Sequence, residues 1–324
     1  MITWSTHRII VDRAGIGAGL VYLDNQLQTD RPALLLLHGL LDNKATWGPV
    51  AQLLGQEYRL LLPDLLGCGR SDKPRLDHLP EGRRYSVAMH AEHLADLLVQ
   101  TGVNDLVLGG SSLGAGIAVR AYLGYPEVRS RTRGLLLLAP AIFAQPLPRS
   151  ARRLAGWGGQ LLDSRPGRWL CFHHGLADRL LRQSYRRVVR DPARIPPGII
   201  EEAMAVLREP GTLHAYRWAA RNAVPPDHLE WTARLTEITC PVLAIWGWED
   251  GIVSPLNALR LQQLVPQTRV QILDDCGHAP QLEDPDQVAT LMRAWMAEVG
   301  LSPPASPQPE RARPEVEPRS PSDT

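Results

Sequence analysis

The chain has 324 residues, 44% of them hydrophobic, and a formal net charge of +1. This fits one large α/β domain, or one domain carrying an insertion, and excludes a chain too polar to bury a core. The near-neutral balance gives no reason to expect nucleic acid or an anionic membrane as partner, and no apolar stretch approaches the length that spans a bilayer. In chain order, residues 9–11 and 19–23 predict a hairpin around Arg13-Ala14-Gly15. Residues 33–37 are a near-continuous apolar run, as expected of a strand covered on both faces. Further strands are predicted at 58–62, 105–109, 134–139, 242–246 and 270–273. Between them, Ser86 is a candidate N-cap for a helix reaching Thr101, with Ala88, Ala91, Leu94, Leu97 and Leu98 on its apolar face. Residues 285–299 read as the last helix. Strands alternating with helices predict a doubly wound, mostly parallel sheet.

Two stretches break the alternation. Residues 141–238 separate two strands by about a hundred residues, far beyond an ordinary connection. Their helical patterns and prolines predict an inserted helical cap. The core is then 1–140 together with 239–300. The cap carries 15 arginines and no lysine against nine acidic residues, read as a solvated outer face. Its Trp157, Trp169, Trp218 and Trp231, with Phe143, are read first as core and second as pocket lining. Residues 301–324 hold seven prolines and almost nothing apolar, which predicts a disordered tail. The four cysteines, Cys68, Cys171, Cys240 and Cys276, form no C-x-x-C pair. That argues against a metal site or a disulfide framework. With no apolar signal core near the N-terminus, the expected compartment is the cytoplasm.

The chemistry is concentrated around Gly110-Ser111-Ser112-Leu113-Gly114. An apolar strand leads into this G-x-S-x-G frame and a helical run leads out. Ser112 therefore sits on a sharp strand-to-helix turn with its hydroxyl exposed, and the flanking glycines let neighbouring backbone come close. Ser111 would need a small residue at position 113, so the frame selects Ser112. A serine hydroxyl needs a base, and the base needs an orienting acid. His278 follows the last predicted strand in Asp274-Asp275-Cys276-Gly277-His278, at the C-terminal end where open α/β sheets place their sites. Asp250 follows the strand before it and would hold the imidazole in one tautomer, with Glu249 as the competing acid. The oxyanion donors would be backbone amides. Leu113 N–H lies at a helix N-terminus, and Leu40 N–H lies in the His38-Gly39-Leu40-Leu41 loop after the 33–37 strand.

The chain resembles the α/β-hydrolase superfamily, in its cap-bearing branch of serine esterases and lipase-like enzymes. The resemblance rests on His38-Gly39, on the segment from Pro63 to Ser71 (Pro-Asp-Leu-Leu-Gly-Cys-Gly-Arg-Ser), on the order Ser112, Asp250, His278, and on Glu283 and Pro285 after the histidine. It covers about residues 9 to 299. Ser111 stands where many relatives carry histidine or asparagine, and Ala115 replaces a frequent glycine. The resemblance implies an eight-stranded α/β-hydrolase sheet and a serine hydrolase acting on a small apolar ester, with no metal or cofactor and no nucleic-acid partner. A serine nucleophile disfavours the branches that form an ester intermediate on aspartate. Carbon–carbon hydrolases, thioesterases and perhydrolases with the same three groups remain open. A non-catalytic scaffold on the same fold is the reading least compatible with all three groups being present.

Overall fold

The computed structural model describes residues 2–13, 15–173 and 175–301. Ala14 of the opening turn, His174 of the long insertion and all but the first residue of the proline-rich tail lie outside the described residues. Eight strands form one sheet: β1 (Ser5–Val11), β2 (Ala18–Asp24), β3 (Ala33–Leu37), β4 (Leu60–Pro63), β5 (Leu106–Ser111), β6 (Thr132–Leu138), β7 (Val242–Gly247) and β8 (Thr268–Leu273). Their spatial order is β1-β2-β4-β3-β5-β6-β7-β8. β1 and β2 form the antiparallel end, β2 meets β4 antiparallel, and every later pairing is parallel.

The helices are α1 (Gly48–Leu54), α2 (Val87–Thr101), α3 (Leu113–Gly124), α4 (Pro126–Arg129), α5 (Arg149–Ala155), α6 (Trp157–Asp163), α7 (Arg165–His173), α8 (Leu176–Val188), α9 (Ile199–Arg208), α10 (Thr212–Arg221), α11 (His228–Ala233), α12 (Asn257–Leu264), α13 (Pro280–Glu283) and α14 (Pro285–Glu298). The two faces of the sheet bury separate cores. One gathers Leu35, Leu37, Leu108 and Leu137 against α2 and α3. The other gathers Leu34, Leu36, Val107 and Leu136 against Trp47, Leu54, Met292 and Trp295 from α1, α14 and the turn before α1. β3 is fully buried because both faces are covered. α2 starts where Ser86 Oγ accepts from Met89 N–H at 3.2 Å and stops at Gly102, whose φ is +66°.

Strand edges differ from expectation where polar residues take part. β4 begins at Leu60 and not at Tyr58, because the Asn25 side chain takes the place of a strand there. It donates to Tyr58 O at 2.9 Å and accepts from Leu60 N–H at 2.8 Å. β6 starts at Thr132, whose hydroxyl donates to Val128 O at 2.8 Å and so makes a polar start tolerable inside the fold. β8 lies at the edge of the sheet and is only partly buried, so its polar first half carries no apolar signature. Between β6 and β7 the described residues form helices α5 to α11 and short 3-10 turns, with no strand.

Candidate active site

Ser112 lies between β5 and α3 with φ +53° and ψ −117°. A non-glycine residue there stores about 1–3 kcal/mol of backbone strain. The turn is held from both sides. Ser112 N–H donates to Leu138 O at 2.8 Å, and its carbonyl accepts from Ala141 N–H at 3.1 Å. Gly114 is required by close approach, since a Cβ there would stand 2.4 Å from His38 O and 2.5 Å from Leu37 O. The same crowding brings the loop after β3 against Ser112: a Cβ on Gly39 would lie 3.4 Å from Ser112 Cβ.

Leu113 N–H is the first orphan donor of α3. Leu40 N–H lies in the neighbouring turn and donates to no backbone acceptor among the described residues. Leu41 follows with φ +60°, a left-handed bend in a residue other than glycine. His38, fully buried, braces this loop from within. Its Nε2 accepts from Leu65 N–H at 3.0 Å, so Nδ1 carries the proton and meets Gly39 O at 2.9 Å.

Asp250 and His278 meet directly. Asp250 Oδ2 lies 2.8 Å from His278 Nδ1, and Oδ1 accepts from Ile252 and Val253 N–H at 2.8 and 2.9 Å. Three contacts fix the carboxylate, and with it the imidazole, leaving Nε2 with its lone pair. Glu249, the alternative acid, is exposed and ion-paired with Arg190. Ser112 is half-buried, and its Oγ makes no hydrogen bond among the described residues. Its loop is nonetheless tied to the histidine loop. Gln281 Nε2 donates to Ser111 Oγ at 3.3 Å and to Thr46 Oγ1 at 3.1 Å, joining the end of β5, the 3-10 turn before α1 and the segment after His278 through one buried amide.

The helical segment also reaches the histidine. His278 N–H donates to Val188 O at 2.7 Å, at the end of α8. Glu283 accepts from Gly277 N–H and Arg190 N–H, each at 2.7 Å. Burial pushes the Glu283 carboxyl up, and those backbone donors partly offset it. Gly277 is confined here, with a Cβ predicted 2.8 Å from Arg190 N. Burial likewise pushes the Asp42 carboxyl up, opposed by hydrogen bonds from Asn43 and Thr46. The phenols of Tyr185 and Tyr216, from α8 and α10, are raised by burial and further by Asp42. Gln281, Asp42 and these tyrosines escaped the sequence reading, since a lone Gln, Asp or Tyr has no motif. Glu283 did have a signal in its spacing from His278.

The expected pocket tryptophans are corrected. Trp157 and Trp169 turn outward, 81% and 58% exposed, so they are neither core nor lining. Trp218 is core, with Arg84 against its ring, and Trp231 lies between Arg120 and Arg234. Phe143 is buried beside Arg260.

With this geometry in view, the similarities have a physical meaning. Residues 32–285 match the model of the alpha/beta hydrolase fold family. The chain belongs to that family. It is 28% identical over 284 residues to Lipase 1 of Psychrobacter immobilis, covering 86% of this chain and 81% of the lipase. It is 27% identical over 243 residues to a 2-hydroxymuconate semialdehyde hydrolase of Pseudomonas putida, covering 75% and 78%. Among solved structures, a thermophilic esterase from Thermogutta terrifontis superposes with a TM-score of 0.69 at 25% identity, over 90% of this chain and 99% of that one. This α/β hydrolase has no helix among its described residues long and apolar enough to cross a membrane.

Proposed function

We propose that this α/β hydrolase cleaves small apolar carboxylic esters through an acyl-enzyme on Ser112. The observation that carries the reading is the buried Asp250–His278 pair, 2.8 Å apart, on a loop hydrogen-bonded to the residue before Ser112. Ser112 Oγ attacks the ester carbonyl carbon and its proton passes to His278 Nε2. Asp250 stabilises the imidazolium. Leu40 and Leu113 N–H groups hold the oxyanion as the carbonyl π bond opens. The carbonyl re-forms, the alkoxide leaves, and His278 gives it the proton. Water then attacks the acyl-enzyme with His278 again taking a proton, which returns to Ser112 as the acid departs. Each step is supplied by side chains and amides, and none calls on a metal or cofactor.

The segment 141–238 acts as the cap over this site, and Tyr185 and Tyr216 give its inner side a polar character. Four free, buried cysteines suit a reducing compartment such as the cytoplasm. The likeness to a 2-hydroxymuconate semialdehyde hydrolase favours one second reading, carbon–carbon bond hydrolysis by the same three groups. Labelling with a fluorophosphonate, followed by turnover of short p-nitrophenyl esters beside a meta-cleavage dienoate, tests both. Wild type should label at Ser112 and hydrolyse the ester, and Ser112→Ala should do neither while remaining folded. Faster turnover of the dienoate than of every ester would select the second reading.

A further inference from the structure

The outer faces of α6 to α8 leave large apolar side chains in solvent. Trp157 and Leu161 are i,i+4 neighbours on α6, and Leu176 and Leu180 are on α8. Trp169 and Leu170 lie side by side on α7, with Trp169 stacked on His173. Leu161 is 56% exposed and Leu180 45%. Other side chains of α7 and α8 are already satisfied, with Cys171, Ala177, Phe172 and Leu181 packed around Met204. The exposed face is therefore an additional apolar surface and not an unfilled core.

Its charge is equally one-sided. Arg152, Arg153, Arg165, Arg179, Arg186 and Arg187 are exposed, and none meets a carboxylate among the described residues. The two acids of these helices are already engaged, Asp163 with His214 and Asp178 with Arg182. Many surface arginines of the rest of the chain are paired, as in Arg8–Asp72 and Arg133–Asp105. The chain's net charge of +1 conceals this patch, because the 141–238 segment alone carries six more arginines than acids.

We infer that this face docks on an anionic lipid surface. Tryptophan and leucine would enter the interfacial layer, and the arginines would extend along it to lipid phosphates. Charge argues against a second copy of the chain, since a two-fold contact would set arginine against arginine. It permits duplex nucleic acid but leaves the leucines without a role. The patch also has a useful position: α8 ends at Val188, whose carbonyl holds the His278 loop. The inference concerns the outer surface and stands apart from the chemistry at Ser112.

The test is co-sedimentation of the full chain with phosphatidylglycerol-rich vesicles and with pure phosphatidylcholine vesicles. Binding should favour the anionic vesicles by about tenfold or more and weaken with added salt. The Trp157→Ser/Trp169→Ser double variant should lose about tenfold in binding. Arg152→Gln/Arg153→Gln/Arg186→Gln should cut the anionic preference by about tenfold. Both variants should keep the wild-type thermal midpoint and p-nitrophenyl acetate turnover. Equal binding to the two vesicles, or undiminished binding by the tryptophan variant, overturns the inference. A dimer abolished by the same tryptophan substitutions, or a DNA duplex that displaces the vesicles, would reassign the face.

Discussion

The sheet edge and the helical segment above it contrast in what they do with their side chains. At the edge, the side chains that orient others are tied down: the Asp250 carboxylate has three partners, and His38 is bonded through both ring nitrogens. On α5 to α8, tryptophans stand in water and arginines lack acids. The first region is over-determined, because crossing backbone leaves one arrangement. The second is held by its inner face alone. Chemistry that needs sub-ångström placement belongs in the first, and a surface that meets a variable partner belongs in the second.

Substitutions can break or sharpen this contrast. The largest expected effect is Asp250→Asn, which should lower kcat by about 10⁴-fold through the wrong imidazole tautomer, while Glu249→Gln leaves it within about twofold. Steady-state kinetics on a p-nitrophenyl ester checks this, and the reverse outcome would make Glu249 the acid. Next, Gly114→Ala should cost about 3 kcal/mol in urea unfolding, since the new methyl meets backbone oxygens of Leu37 and His38 that cannot step aside.

The pH dependence of folding should follow the buried imidazoles of α2. Burial pushes His90 down to about 3 and His93 down to about 4. Both folded values lie below the ordinary value, near 6.5, that an unfolded chain would show. Their neutral forms therefore contribute full stability above about pH 6.5. That contribution is lost progressively as pH falls towards the folded values. Among the described residues His93 has no hydrogen-bond partner for either ring nitrogen, so His93→Leu should move the acid-unfolding midpoint to lower pH, measured by circular dichroism. The smallest effect is expected outside: Trp157→Ser should change the unfolding free energy by less than about 0.5 kcal/mol. A loss above about 2 kcal/mol would mean that the ring is packed, ending the contrast.

Much of the sheet was legible because its strands are continuous leucine and valine runs. β3 coincides with the predicted 33–37, and Ser86 caps α2 as its hydroxyl and position predict. β8 was read short, because half of an edge strand is polar. Ser112, Asp250 and His278 stood out because each follows a strand, and the structure joins the last two. The bracing by Gln281, and the contact of Glu283 with Arg190, were hidden, since they link residues that only folding makes neighbours.

By itself, the sequence determined the alternation of strands and helices and the strained elbow at Ser112, because both follow from local periodicity and from which residues tolerate a given φ. Tertiary structure alone decided which acid reaches His278, which loop braces which, and that Trp157 and Trp169 face water. Those outcomes depend on distances between segments far apart in the chain. An average such as net charge or composition contains no such distances.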